Sequence, residues 1–144
     1  MAKIFALHIS EGKSPLIYED GRQTRDFVHV NDIVRANLLV LENPKADGEI
    51  FNIGSGHPCT ILELAGHLAK KLGRSVSPEV AEKFRAGDVR HCFADISKAR
   101  TLLGYEPRTV IPDGLENLLD SHTQGAAALS ASADAELQQR GLIR

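Results

Sequence analysis

Residues 49–73, "EIFNIGSGHPCTILELAGHLAKKLG", place a strand pattern, a glycine-rich turn and an amphipathic helix in direct succession. Thr60 and Glu63 form the T-x-x-E pattern of a capping box, in which each side chain binds a backbone amide at the start of a helix. Gly73 suits the C-terminal cap of that helix. Apolar residues recur between these ends at helical spacing: Ile61, Leu64, Ala65, Leu68 and Leu72. The stretch therefore predicts strand 49–53 followed by a helix, as in an α/β fold.

On the N-terminal side the pattern alternates between helices and short strands. A helix over 4–10 is expected to end at Gly12, and "PLIY" (15–18) and "FVHV" (27–30) are predicted strands. The pair Asn31-Asp32 predicts the N-cap of a helix over 33–42. The buried stripe predicted for that helix consists of Ile33, Ala36, Val40 and Leu41.

On the C-terminal side three further elements are expected. "SVSPEV" (75–80) predicts a short extended segment, and Asp95 is placed to cap a helix that runs to Gly104. A last amphipathic helix is expected to start near Pro112 with three residues facing inward: Leu115, Leu118 and Leu119.

The composition is that of an ordinary globular protein. The chain has 144 residues, 42% of them hydrophobic and 25% charged, and a formal net charge of -2. Without a basic excess there is no sign of nucleic-acid binding, and the apolar runs are too short to span a bilayer. Cys59 and Cys92 are too few for a disulfide framework, so we expect a cytoplasmic protein.

The domain organisation follows from a change in composition after His122. Residues 1–122 are expected to form one domain. The following segment is rich in alanine and serine with little to bury, so 123–133 is predicted to be a flexible linker. Residues 134–144 are predicted to form a short C-terminal helix.

Two motifs allow a functional interpretation but favour a structural one. Gly54-Ser55-Gly56 follows a predicted strand, yet it lacks a third glycine and Pro58 removes an amide donor, so a tight turn is favoured over a dinucleotide loop. The pairs His57/Cys59 and His91/Cys92 match no common zinc spacing, so no metal site is expected. Three acidic residues near one strand are interpreted as turn and cap residues: Asp20, Asp26 and Asp32.

Arg25, Arg85 and Asp88 are the candidate binding residues. Two arginines from separate loops can hold a diphosphate through charge-assisted bonds, and a carboxylate can accept bonds from ribose hydroxyls. The alternative is two surface arginines paired with Asp26 and Asp88, and the residue types alone leave that choice open.

Four blocks occur in order along the chain: "IYEDGRQTRDFVHVNDIVRANLLVLE", "GEIFNIGSG", "TILELAGHLAKKLG" and "RAGDVRHCFADISKARTLLGYEP". Together they resemble the C-terminal, substrate-binding part of extended short-chain dehydrogenases/reductases, and in particular NAD-dependent nucleotide-sugar epimerases and dehydratases. The blocks "KFRAGDVRHCFADISKAR" and "ADAELQQRGLI" are most similar to the dTDP-L-rhamnose 4-epimerase branch, followed by UDP-glucose 4-epimerase.

The resemblance implies roles for the candidate residues. Arg25 and Arg85 would contact the diphosphate of a dTDP- or UDP-sugar, and Asp88 the nucleoside sugar. In the complete enzyme NAD would take a hydride from C4 of the sugar and return it to the other face. Nucleotide-sugar 4,6-dehydratases and related reductases would bind the nucleotide with the same residues, so they stay as an alternative.

The chain lacks the family's catalytic motifs. There is no G-x-x-G-x-x-G loop, and Tyr18 and Tyr105 are followed four residues later by Arg22 and Thr109 instead of lysine. We therefore expect a fragment without its N-terminal Rossmann half, with no catalytic residue and no bound cofactor of its own. Its expected partners are a nucleotide-sugar and the Rossmann half, and the chain could also form a homodimer. A further alternative is a non-catalytic module that binds nucleotide-sugars or another subunit.

Overall fold

The computed structural model describes residues 1–81, 83, 84, 86–120, 139 and 140. These residues form two compact units. Unit 1 contains 1–23 and the described residues of 60–90 and from 115 onward, and unit 2 contains 24–59 and 91–114. The predicted linker 123–133 lies outside the described residues, as does the predicted terminal helix apart from 139 and 140.

Five α-helices and five two-residue strands make up the described chain. The helices are α1 (Ala2–Ser10), α2 (Val30–Glu42), α3 (Ile61–Lys71), α4 (Ser97–Leu103) and α5 (Ile111–Asp120), with a 3-10 turn at Pro44–Ala46. The strands are β1 (Leu16–Ile17), β2 (Thr24–Arg25), β3 (Cys59–Thr60), β4 (Glu79–Val80) and β5 (His91–Cys92).

Helix α3 organises unit 1, and the predicted capping box is confirmed. The Thr60 hydroxyl accepts from the Glu63 amide at 3.1 Å, while a Glu63 carboxylate oxygen accepts from the Thr60 amide at 2.8 Å. Helix α3 packs against α1, and Gly73 just beyond the helix has φ +61°, a conformation that favours glycine. The apolar side chains buried in unit 1 include Phe5, Ile9, Ile17, Ile61, Leu64 and Leu68.

Strands β1 and β4 pair in parallel within unit 1, with Leu16 opposite Glu79 and Ile17 opposite Val80. The pairing confirms two of the expected extended segments, each shorter than predicted. It also fixes where the chain leaves β4: the amide of Ala81 donates to the carbonyl of Ile17 at 2.9 Å. The segment that carries Asp88 therefore starts beside the end of β1.

Unit 2 contains a second parallel pair, β2 with β5, in which Thr24 faces His91 and Arg25 faces Cys92. Its core lies between α2, the 3-10 turn and α4, and it consists of Ala36, Ala46, Ile96, Ala99, Leu103 and Tyr105. The Tyr105 side chain is fully buried and its hydroxyl donates to the carbonyl of Gly54 at 2.8 Å. Gly104 ends α4 at φ +66°, as predicted.

The predicted boundaries around α2 are wrong in two respects. Residues 27–29 are not a strand, because β2 lies earlier, at Thr24–Arg25, and the chain is already helical at Val30. The N-cap is His29, whose ring Nδ1 accepts from the amide of Asn31 at 3.2 Å. Asp32 lies inside the helix, and its carboxylate accepts from the amides of Arg108 and Thr109 at 3.0 and 3.1 Å.

The buried stripe predicted for α2 is also partly wrong. Ala36 is buried as expected, but Leu41 is 81% exposed and Val40 is 38% exposed. Asp32, 1% exposed, takes an inward position instead, because its carboxylate satisfies two backbone amides there. This rotates the helix about its axis and leaves Val30, Val34, Leu38 and Leu41 on an exposed face.

The segment 49–53, predicted as a strand, has no strand pairing among the described residues. Phe51 and Ile53 are nevertheless half-buried, packed against the core of unit 2. The apolar residues of this alternating pattern thus pack against the core, although the backbone of the segment pairs with no neighbouring strand in this part of the chain.

Candidate functional site

Arg25 ends strand β2 in unit 2. Its Nη1 donates to the carbonyl of Thr24 at 2.8 Å, and the side chain is half-buried. It lines a pocket of about 380 Å³ whose other walls come from Asp26, Val28, Asn52, Ile53, Cys92, Phe93 and Ala94. The parallel pairing of β2 with β5 puts Arg25 at this pocket, because it sets the end of β2 beside Cys92 and the residues that follow.

Asp26 ties three segments together at the end of β2. One carboxylate oxygen accepts from the Ser55 amide at 2.7 Å and the other from the Ala94 amide at 3.1 Å. Gly54 passes so close that a Cβ built on it would lie 2.2 Å from Asp26 Oδ2. Asp26 is therefore more than the turn residue that the sequence suggested, and it fixes the backbone next to Arg25.

The Gly54-Ser55-Gly56 turn has little capacity to hold a pyrophosphate. The Ser55 amide donates to Asp26, and the His57 amide donates to the Ser55 hydroxyl at 3.1 Å. A dinucleotide loop needs such amides directed at its ligand. The favoured interpretation, a tight turn, agrees with these bonds, which occupy two of the amides that a pyrophosphate would need.

Asp88 lines an open pocket of about 900 Å³ in unit 1. Gly87 beside it has φ +79°, and one Asp88 carboxylate oxygen accepts from the Val89 amide at 2.9 Å. The rest of the pocket lining consists of Glu19, Asp20, Arg22, Leu62, Val80, Phe84, Gly87 and Arg90. Arg85 lies outside the described residues, so its side chain is not placed.

Three charged residues in the lining of this pocket bind one another. Arg90 binds two carboxylates, Glu19 and Asp20, each at 2.7 Å. The hydrogen bond from Arg90, with a further bond from the Arg22 amide, holds the pKa of Asp20 below its usual value. The bond to Asp20, followed by the bond to Glu19, raises the pKa of Arg90, so the guanidinium stays charged.

Tyr105 is placed for structure and not for proton transfer. It is fully buried and bonded to the Gly54 carbonyl, and burial, followed by the negative charge of Asp32, raises its pKa. The residues four positions after Tyr18 and Tyr105 are Arg22 and Thr109.

The other sites considered from the sequence gain no support. Within the described residues no three His, Cys, Asp or Glu side chains come together as metal ligands. In the same part of the chain, each helix is too short or too polar to cross a membrane.

The predicted site residues are therefore distributed over the molecule as follows. Arg25 belongs to unit 2, Asp88 belongs to unit 1 and Arg85 is not described. Sequence reasoning missed Glu19, Arg90 and the structural role of Asp26. The only sequence signals for them were the adjacent pair Arg25-Asp26 and the turn that begins at Glu19.

Comparison with known proteins agrees with the resemblance. Residues 2–118 match the model of the GDP-mannose 4,6 dehydratase family. The dTDP-L-rhamnose 4-epimerase of Burkholderia thailandensis is 36% identical over 115 residues, which is 80% of this chain and 31% of that protein. The chain thus spans about a third of the length of such relatives.

Two solved structures illustrate the similarity of fold. The UDP-glucose 4-epimerase of Thermotoga maritima, solved with UDP-glucose, has a TM-score of 0.73 and 38% identity, covering 81% of this chain and 37% of its own. The UDP-glucuronic acid 4-epimerase of Bacillus cereus, in complex with UDP-glucuronic acid and NAD, has a TM-score of 0.75 and 36% identity, covering 86% of this chain and 40% of its own. With 117 of its 144 residues inside the family match, the chain belongs to the GDP-mannose 4,6 dehydratase family, that is, to the NAD-dependent nucleotide-sugar epimerases and dehydratases of the extended short-chain dehydrogenase/reductase type.

Proposed function

We propose that this chain is the substrate-binding portion of an NAD-dependent nucleotide-sugar 4-epimerase that acts on UDP- or dTDP-sugars in the cytoplasm. The observation that supports this most is the likeness over more than 80% of the chain to 4-epimerases solved with UDP-sugars. The family description names a 4,6-dehydratase, which also acts on a nucleoside-diphosphate sugar, and this keeps a 4,6-dehydratase as the second candidate.

The binding role rests on Arg25, Arg85 and Asp88. Arg25 and Arg85 supply guanidinium groups, which suit the two phosphates of a nucleoside diphosphate because they bind oxygen pairs in a planar, bidentate way. Asp88 lines the 900 Å³ pocket, and its carboxylate can accept bonds from the hydroxyls of the nucleoside sugar. Such binding energy, remote from the reacting carbon, positions the sugar for chemistry.

NAD and the catalytic residues are assigned to the Rossmann half of such an enzyme. The glycine turn fits NAD poorly, because the amides of Ser55 and His57 already donate to Asp26 and to the Ser55 hydroxyl. We therefore expect the chain by itself neither to bind NAD nor to interconvert nucleotide-sugars.

The exposed face of α2 is the surface that we assign to the Rossmann half. Its four apolar side chains are between 49% and 81% exposed and follow one another along the helix: Val30, Val34, Leu38 and Leu41. A continuous apolar stripe of this kind normally packs against another part of a protein. These relatives are more than twice as long as this chain, so they contain a segment large enough to cover it.

The experiment is an NMR titration of the chain with UDP and with dTDP. This method detects weak complexes, with dissociation constants as high as the millimolar range. Each charge-assisted bond contributes roughly 1.5–3 kcal/mol, so Arg25→Ala and Arg85→Ala should each weaken binding by about one to two decades. Arg85→Lys should restore only part of the affinity, because lysine cannot make the bidentate contact.

The matched control is Arg100→Ala. Arg100 is an arginine that pairs with Glu106 at 3.2 Å and lines neither of the two pockets described above. Wild-type affinity in both Arg25→Ala and Arg85→Ala would refute the proposal and leave the two arginines as ordinary surface residues.

A further inference from the structure

The segment 86–90, here called the Asp88 loop, is attached to one short turn. The Glu19 amide donates to the carbonyl of Lys83 at 2.6 Å, just before the loop. The Glu19 carboxylate accepts from Arg90 Nη1 at 2.7 Å, at the end of the loop. The neighbouring Asp20 accepts from Arg90 Nη2 at 2.7 Å. Two adjacent residues thus hold the chain on both sides of Asp88.

The backbone of Glu19 is strained in making these contacts. Its φ is +55°, and it is the only described residue other than glycine with a positive φ. This left-handed conformation is sparsely populated for a residue with a long side chain, and it persists where the surrounding structure requires it. A glycine would adopt this conformation without strain, but it would lack the carboxylate that binds Arg90.

We propose that Glu19, Asp20 and Arg90 form a tether that positions the Asp88 loop, and so sets the affinity of the pocket for the nucleoside part of the ligand. This inference rests on the proposed function. The three residues act through the position of Asp88. The opposing possibility is that Arg90 binds the ligand phosphates directly and that the two carboxylates compete with them.

The two possibilities predict opposite effects of removing the carboxylates. If the residues form a tether, Glu19→Gly and Asp20→Asn each loosen the loop and weaken binding. If the carboxylates compete with the ligand, the same substitutions release Arg90 and strengthen binding. Asp20→Asn is a conservative test, because an asparagine Oδ1 can still accept from the Arg22 amide, as Asp20 does at 3.0 Å.

Stability separates positioning from a general structural role. Glu19→Gly removes the strain along with the carboxylate, so the melting temperature should stay the same or rise. Its affinity for UDP should fall roughly fivefold, which corresponds to one partly exposed ion pair. A purely structural residue would lose stability and affinity together.

The experiment is the NMR titration with UDP, applied to wild type, Glu19→Gly, Asp20→Asn, Arg90→Ala and the Glu19→Gly/Arg90→Ala double variant, with melting temperatures measured in parallel. We expect Arg90→Ala to lose roughly five- to tenfold in affinity and the double variant to lose little more, because both changes break the same tether. Arg100→Ala, the control, should bind like wild type.

Two results would overturn the tether while the proposed function stands: tighter binding by Asp20→Asn or Glu19→Gly, or wild-type affinity in Arg90→Ala. If wild type does not bind UDP or dTDP at all, the proposed function itself fails and the tether falls with it. The titration of wild type therefore distinguishes a failure of the proposed function from a failure of the tether.

Discussion

Gly54 offers a severe test of the packing around Asp26. A Cβ at this position would lie 2.2 Å from Asp26 Oδ2 and 2.7 Å from the Cβ of Ala94. Both distances are far below van der Waals contact. The φ of Gly54 is not positive, so the cost of Gly54→Ala is steric and not a matter of backbone conformation.

The expected loss of stability follows from the hydrogen bonds that an alanine at position 54 would displace. To make room, the Asp26 carboxylate has to leave the amides of Ser55 and Ala94, which it now accepts from at 2.7 and 3.1 Å. Hydrogen bonds to a charged group contribute roughly 1.5–3 kcal/mol each. Partial relaxation will save some of this, so we expect Gly54→Ala to lower the free energy of unfolding by about 3 kcal/mol.

The assay is urea unfolding followed by circular dichroism, with Gly66→Ala as the matched control. Gly66 lies in the exposed middle of α3 and has no atom within 4 Å of a built Cβ, so the same chemical change should stabilise the chain by about 0.5–1 kcal/mol. If Gly54→Ala unfolds within about 1 kcal/mol of wild type, the close contact with Asp26 does not exist as described and the reasoning fails.

Three further predictions concern stability and association. Thr60→Ala should lower the free energy of unfolding by about 1 kcal/mol, because it removes the capping box of α3. The control Thr101→Ala, in the exposed part of α4, should change the free energy of unfolding little. Equal effects of the two substitutions in urea unfolding would contradict this. The raised pKa of Tyr105 means that its stabilising effect is fully present below about pH 10, the usual value for an unfolded chain, and is lost as the pH rises through the folded value. Tyr105→Phe should therefore reduce the loss of stability above about pH 10 in urea unfolding, and an unchanged pH dependence would contradict this. The isolated chain should self-associate through the exposed face of α2, and replacing Val34 and Leu41 (51% and 81% exposed) by serine should shift it toward monomer in light scattering without lowering its melting temperature; a monodisperse wild-type monomer would refute this.

Helix α3 was predictable because its signals are local. The capping box spans four residues, the apolar spacing runs through the helix itself, and Gly73 lies at its end. Each of these features acts on the backbone within one or two turns, so it is present in the sequence before any tertiary contact forms. The same holds for Gly104 at the end of α4.

The orientation of α2 and the surroundings of the candidate site depended on contacts between distant residues. Asp32 turns inward to bind amides 76 and 77 residues further on, Asp26 binds an amide 68 residues away, and Arg90 reaches Glu19 across 71 residues. A carboxylate in the sequence looks the same whether it caps its own helix or satisfies a remote segment. Only the folded chain determines which buried amides need an acceptor, and that need placed Asp32 inside and left Leu41 in solvent.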